Sequence, residues 1–199
     1  MTKVWGPMGW MMAHSVSICY PETPSNEDKR IASEFMDSFA TTITCELCRN
    51  HFATLFDTYK RNVPTWLNSR KDFFLAICRM HNNVNKRLDK PTPSTVYECL
   101  QSLKNATSYT SPSEFRKKYI EYLFRDWNNY GRFTSFYFHA ISHVEKMKRI
   151  NEQYWNNKEV PYSIITFTEE DVLNFSNQPV STKMVFSKLS IRNVRWSPK

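Results

Sequence analysis

The chain is predicted to be all-α, a helical bundle followed by a second, mostly helical region, and three observations carry that reading. Only three glycines occur among its 199 residues, strict alternation of apolar and polar residues is almost absent before residue 160, and helix-start signals recur along the chain. Residues Ile31–Thr42 read as helical, and a further helix begins at Cys45-Glu46-Leu47-Cys48 with Thr44 as its expected cap. Asn68-Ser69 precedes a helix over Arg70–Leu88. Thr95 with Glu98 forms a capping-box pattern, and Ser111-Pro112-Ser113-Glu114 places proline at a first helical position. Asn128-Asn129-Tyr130-Gly131 is a stop. After it, Phe136, Ala140, His143, Val144 and Met147 recur at three- and four-residue steps in a helix from about Phe133 to Trp155. Beyond Pro161 the signal weakens: Thr168 to Phe175 reads as a short helix, and Val180 to Ile191 as strands or an irregular tail. The Ser-, Thr- and Asn-rich segment Asn105–Ser113 is the expected linker. It divides a cysteine-bearing module, residues 1–104, from a basic, aromatic-rich one, residues 105–199.

Composition narrows the function classes. With 41% hydrophobic and 15% aromatic residues the chain can bury a real core. No apolar run approaches the roughly 20 residues needed to span a bilayer, and the N-terminus lacks the charged and apolar regions of a secretory leader, so the reading is a soluble protein with no membrane partner. The five cysteines Cys19, Cys45, Cys48, Cys78 and Cys99 all lie in the first half. An odd count without a leader argues against a secreted disulfide framework, so a disulfide here is read as catalytic. The net charge of +8 is concentrated in the second half, yet dispersed without a long basic block. It reads as a solvated basic face rather than a nucleic-acid surface.

Two short strings carry the chemistry. The first is Cys45-Glu46-Leu47-Cys48-Arg49-Asn50-His51-Phe52. A dithiol at a helix start places a thiol near unpaired backbone N–H groups, where the helix dipole stabilises thiolate, and such a thiolate can exchange with disulfides or bind metal. A thioredoxin-like reading needs a strand before the pair, and Ile31–Thr42 is helical instead. Zinc needs four ligands, which His51, Cys78 or His81 could complete. The second string is His81-Asn82-Asn83-Val84-Asn85-Lys86-Arg87-Leu88. His81, Asn82 and Asn85 share one helical face beside an apolar stripe that includes Val84 and Leu88. That pattern fits either a ligand's polar parts or a satisfied core histidine among exposed asparagines. The first helix adds Trp10 and His14, again four residues apart, with Trp5-Gly6 before them and Tyr20-Pro21 after. Such stacking and hydrogen-bonding surfaces suit a large flat heteroaromatic cofactor.

In order and spacing, Gly6, Trp10, His14, Tyr20-Pro21, Cys45-xx-Cys48-xx-His51-Phe52, then Cys78-xx-His81-Asn82-x-Val84-Asn85-xx-Leu88-x-Lys90-Pro91 resembles the Erv/ALR family of FAD-dependent sulfhydryl oxidases. The resemblance covers roughly residues 3–100. It implies a four-helix bundle with a short fifth helix that binds FAD, dimerises through helical faces, and oxidises protein dithiols at the expense of O2. It places Trp10, His14, His51, Cys78, His81, Asn82, Val84, Asn85, Leu88 and Lys90 around the flavin or its adenosine moiety, and makes Gly6 the point where the chain approaches the cofactor. It makes Cys48 the sulfur beside the flavin and Cys45 the one that exchanges with substrate.

The chain also departs from the family pattern. Pro7 stands where arginine often follows the first glycine, no tryptophan lies near residue 100, and no second dithiol at shuttle spacing is present. The cysteine that pairs with the Cys78 position is displaced, which makes Cys99 the candidate partner. The extra second half resembles the arrangement in large DNA virus members, for which the expected location is host cytoplasm or the virion; otherwise it is the mitochondrial intermembrane space. The rival reading is a zinc-stabilised module, with Cys45, Cys48, Cys78 and His81 on the metal and a nucleic-acid-binding second half.

In the second half, Tyr119, Tyr122, Phe124, Trp127, Phe133, Phe136, Tyr137 and Phe138 read as core. His139 and His143 lack the glutamate of a zinc-protease pattern, so no metal site is expected. The Asn-x-Ser/Thr matches at Asn105 and Asn174 read as chance.

Overall fold

Helices begin where the sequence supplies an acceptor for otherwise unpaired N–H groups. In the computed structural model, which describes residues 2–129, 134–158, 165–173 and 175, the helices are α1 (Thr2–Ile18), α2 (Asn26–Thr42), α3 (Glu46–Asn62), α4 (Arg70–Arg87), α5 (Val96–Thr107), α6 (Pro112–Asn129) and α7 (Ser135–Gln153), with a 3₁₀ turn (Trp155–Asn157) and α8 (Glu169–Leu173) after them. No strand occurs among the described residues. Ser25 and Asp28 form a reciprocal capping box on α2. Ser69 Oγ accepts from Asp72 N at 3.0 Å on α4. Thr95 Oγ1 accepts from Glu98 N at 3.2 Å on α5, while the Glu98 carboxylate reaches one residue further back and accepts from Ser94 N at 2.7 Å.

Three boundaries differ from expectation for local reasons. The cap of α3 is Cys45, whose sulfur accepts from Cys48 N, and not Thr44; Thr44 points the other way, its Oγ1 3.3 Å from the Tyr122 hydroxyl. The connection is shorter than the expected linker, because α5 runs to Thr107 and α6 begins at Pro112, leaving residues 108–111 between them. Thr134 caps α7 at Ser135. Gly131, Phe133, Asn174 and the stretch Val180 to Ile191 lie outside the described residues.

Helices α1 to α4 form the bundle: α1 packs on α4, α2 on α3 and α3 on α4, with α5 laid against α4. Phe35, Phe39, Phe52, Phe56, Phe73 and Phe74 fill its centre. The second half does not stand apart, since α6 packs on α1 and α7 on α2. Gly9 makes the first of these contacts possible: a Cβ there would meet the rings of Tyr119, Phe39 and Trp5 at 3.2–3.3 Å. Arg116 ties the far end. Fully buried on α6, it donates to Asn151 Oδ1 at 2.8 Å, the Trp155 carbonyl at 3.2 Å and Cys19 Sγ at 3.4 Å. Of the second-half aromatics, Tyr119, Tyr122 and Trp127 are buried, Phe124 and Tyr137 are half-buried, and Phe136 and Phe138 are exposed.

Candidate active site at the dithiol and its aromatic cleft

Cys45 and Cys48 form a disulfide with a Cα–Cα distance of 5.2 Å at the first turn of α3. Cys45 Sγ accepts from Cys48 N at 3.4 Å, so the helix start itself holds the pair in register. The two sulfurs have different surroundings. Cys48 is buried and lines a cleft, whereas Cys45 is half-buried and outside that lining. Leu47, between them, is 83% exposed.

The cleft, about 320 Å³, opens between α1, α3 and α4. Its α1 wall is Trp5, Gly6, Pro7, Trp10 and Met11. Nothing lies within 4 Å of where a Gly6 Cβ would project. The α4 wall carries His81, Val84, Asn85, Arg87 and Leu88, followed by Lys90. His51 and Phe52 complete it beside Cys48. Trp10 stacks on His81, with ring centroids 4.3 Å apart and planes within 10°, and meets the Phe52 edge at 5.7 Å. The α4 wall ends in a defined turn. Lys90 N donates to the Asn85 carbonyl at 2.9 Å and Asp89 N to the Lys86 carbonyl at 3.2 Å, the paired bonds of a Schellman motif, with Asp89 in the left-handed region at φ 52°. That turn sets Lys90 at the rim.

Gly6, Trp10, Cys48, His51, His81, Val84, Asn85, Leu88 and Lys90 thus meet in one cavity. The other expected residues stand behind it. His14 is buried under His81, its Nε2 3.1 Å from His81 Nδ1. Asn82 Nδ2 donates to the Pro93 carbonyl at 3.4 Å and fastens the chain after α4. Cys78 is fully buried and disulfide-bonded to Cys99, anchoring α5 on α4. The lining residues absent from the sequence-based site are Trp5, Pro7, Met11, Phe52 and Arg87. Arg87 had a legible signal, being three residues beyond Val84 on the same helical side.

Burial and neighbouring cations keep the site's imidazoles neutral. Burial, with Lys90 adding to it, lowers His81 to about 4. Burial and the adjacent His81 push His14 well below the ordinary histidine value. Burial and Arg87 lower His51. Buried N–H and N groups without a partner, Trp5 Nε1 and His14 Nδ1, flank the same region.

The zinc set of Cys45, Cys48, Cys78 and His81 is not assembled. Among the described residues the group close enough to share a metal is His14, Cys78 and Cys99, and its two sulfurs are bonded to each other. His139 and His143 meet edge to face at 4.6 Å, and His143 Nδ1 lies 3.1 Å from Ser38 Oγ. No helix among the described residues is long and apolar enough to cross a membrane.

Comparison with known proteins agrees with this geometry. An FAD-linked sulfhydryl oxidase of African swine fever virus is 34% identical over 110 residues, 53% of this chain and 87% of that one. The mitochondrial FAD-linked sulfhydryl oxidase ERV1 of Saccharomyces cerevisiae is 33% identical over 86 residues, 43% of each chain. A relative from Acanthamoeba polyphaga mimivirus is 30% identical over 110 residues, 53% of this chain and 76% of that one. No solved structure matches. The profile described as the Erv1 / Alr family matches residues 7–108, the span that holds both disulfides and all of the cleft lining except Trp5 and Gly6, and the chain belongs to that family.

Proposed function

We propose that this protein is an FAD-dependent sulfhydryl oxidase that forms disulfide bonds in substrate proteins. The observation that carries the reading is the division of labour in the dithiol: Cys48 lines an aromatic cleft while its partner Cys45 stands outside that lining. The cleft fits FAD in kind. It offers stacked aromatic walls, open space beside Gly6, unpaired buried N–H and N groups at Trp5 and His14, and the cations Arg87 and Lys90 for a diphosphate. Trp10, His81, Val84 and Leu88 would hold the flat ring systems, with Asn85 and His51 as polar contacts. When bound, FAD accepts two electrons from a dithiolate and passes them to dioxygen, giving hydrogen peroxide.

The protein's own steps are thiol–disulfide exchange. A substrate thiolate attacks Cys45 Sγ, forming a mixed disulfide, and the Cys45–Cys48 bond breaks with Cys48 leaving as thiolate. The substrate's second thiolate then attacks its own mixed-disulfide sulfur and expels Cys45 as thiolate. The substrate has lost two electrons, the pair has gained them, and the two substrate protons go to solvent or to the pair. The helix start favours thiolate at both positions, and neutral His81 and His51 leave the cleft's fixed charge to Arg87 and Lys90. Cys78–Cys99 holds α5 against α4 and takes no part in exchange.

Residues 1–104 carry this chemistry, and α6 and α7 cover the outer sides of α1 and α2. A homodimer has to use a face other than the sides of α1 and α2 that α6 and α7 occupy. Viral relatives among the matches favour host cytoplasm or the virion as the place of action. The test is the visible spectrum of the purified protein with oxygen uptake after dithiothreitol. Flavin absorption that bleaches with thiol and recovers in air supports the oxidase. A colourless protein that gains no activity with added FAD and holds stoichiometric zinc excludes it.

A further inference from the structure

Cys45 is delivered by a short connection, residues 43–45, between α2 and α3, and the second half of the chain holds that connection in place. A helix end leaves carbonyls without an intrahelical partner, and here those of Thr42 and Ile43 are met by side chains. Trp127 Nε1 on α6 donates to the Thr42 carbonyl at 2.9 Å, and Arg49 on α3 donates to the Ile43 carbonyl at 2.8 Å. One residue on, Thr44 Oγ1 lies 3.3 Å from the Tyr122 hydroxyl. Because that hydroxyl donates to Asp126 Oδ2 at 3.1 Å, its oxygen is left to accept from Thr44. Thr42, Ile43, Thr44, Tyr122 and Trp127 are all buried, so a bond broken among them is not replaced by one to water.

We infer that Tyr122 and Trp127 are positioning residues for the dithiol: by pinning the connection that carries Cys45 they favour the closed disulfide over the open dithiol, which makes the reduced pair a stronger electron donor. Two sulfurs released from a covalent bond must part to van der Waals separation, and the two sides of this pair are not equally free to give way. Cys48 lies inside α3 and lines the cleft, whereas Cys45 is the cap at the end of the connection. Rotating the Cys45 side chain alone gives up the cap bond from Cys48 N. Opening therefore draws on the backbone before Cys45, and a shift there stretches the bonds made by Thr42 and Thr44. Those bonds are best made with the disulfide closed, so they oppose reduction and lower the pair's reduction potential. No new chemical step is involved: the two-electron exchange is the one described above, and its equilibrium is moved toward passing the electrons on. The consequence for a flavin acceptor rests on the oxidase reading; the effect on the dithiol does not.

Redox equilibration of the full-length holoprotein tests this. The protein is held without oxygen in a series of reduced and oxidised dithiothreitol mixtures, thiols are trapped with a maleimide, and the labelled cysteines are located by peptide mass spectrometry. Trp127→Phe and Tyr122→Phe keep an aromatic ring and each lose one bond to the connection. Each is expected to shift the Cys45–Cys48 equilibrium toward the dithiol by about threefold, as for part of one buried hydrogen bond. The double variant is expected to shift it by about tenfold, a potential about 30 mV higher. Thr44→Val should match Tyr122→Phe, and Thr44→Ser, which keeps the hydroxyl, should stay with the wild type. Leu103→Ala, in the contact of α5 on α4, is expected to lower Tm and leave the equilibrium alone. Unchanged equilibria in the Trp127 and Tyr122 variants, whatever their Tm, would overturn the inference, and so would an equal shift in Leu103→Ala. A wild type that purifies without flavin and consumes no oxygen with dithiothreitol fails at the oxidase reading instead, while the trapped-thiol equilibrium still decides the positioning role.

Discussion

His14 Nε2 and His81 Nδ1 lie 3.1 Å apart, the first ring buried on α1 and the second forming the floor of the cleft on α4. One ring donates and the other accepts, so the contact is made by two neutral imidazoles, and a proton added to the accepting nitrogen would break it. Burial is the main reason both stay neutral, with Lys90 acting on His81 and His81 on His14. In the unfolded chain both rings titrate near 6.5, whereas folded His81 takes up its proton only at about 4. Between those values the unfolded state binds more protons, so stability falls as pH falls. His81 alone accounts for about 3 kcal/mol across the window, and His14, His51 and His143, all lowered, act in the same direction. Thermal melts from pH 7.5 to 4.5 should show Tm dropping steadily, and His81→Gln should flatten the slope. A Tm independent of pH in this range would contradict the neutral pair.

Cys48→Ser is expected to leave FAD bound and to abolish turnover with dithiothreitol, because the sulfur on the cleft wall is the one removed. Retained yellow colour with no oxygen uptake checks this. Normal uptake by the variant would refute the assignment of roles in the dithiol.

His81→Ala removes the ring that stacks on Trp10, and Asn85→Ala a polar group on the cleft wall whose amide also reaches the Pro91 carbonyl at 3.4 Å. Both should lower the flavin-to-protein absorbance ratio of the purified protein, His81→Ala the more. Full occupancy in either variant would remove that residue from the cofactor site.

Asp89 adopts φ 52° at the end of α4, a conformation that costs an L-residue energy and glycine little. Asp89→Gly should therefore stabilise the protein by about 0.5–1 kcal/mol while keeping the turn that places Lys90. A raised Tm with unchanged flavin content is the expected result.

A chain ended at residue 108, where the family profile ends, would expose the sides of α1 and α2 that α6 and α7 cover, including the Gly9 channel that receives Tyr119. It is expected to elute as a dimer or larger species, or to melt well below the full chain. A monomer with unchanged Tm would show that α6 and α7 are appended rather than integral to the bundle.

Much of the fold was legible because its signals are local. Ser69, Thr95 and the Ser111-Pro112 start mark helix ends through bonds formed within three residues, and the Ala140, Val144, Met147 stripe declares its buried side by spacing alone. Of the Asn105–Ser113 linker, residues 108–111 form the connection between α5 and α6, while its two ends are helical. The buried side of α5, held on α4 by Cys78–Cys99, lies in Val96, Cys99, Leu100 and Leu103, all before that segment.

At the site, the order and spacing of Gly6, Trp10, Cys45, Cys48, His81 and Asn85 in the chain determined the family by itself, since they are the pattern that carries the resemblance. What only the tertiary structure decided is which groups meet across the bundle. It brings His14 under His81, Cys48 but not Cys45 into the cleft lining, Arg87 onto its wall, and Trp127 and Tyr122 against the dithiol loop from more than seventy residues away. Helical periodicity states which side of a helix is buried. It leaves open which other helix lies against that side, because apolar burial is non-directional and any complementary apolar face would satisfy it.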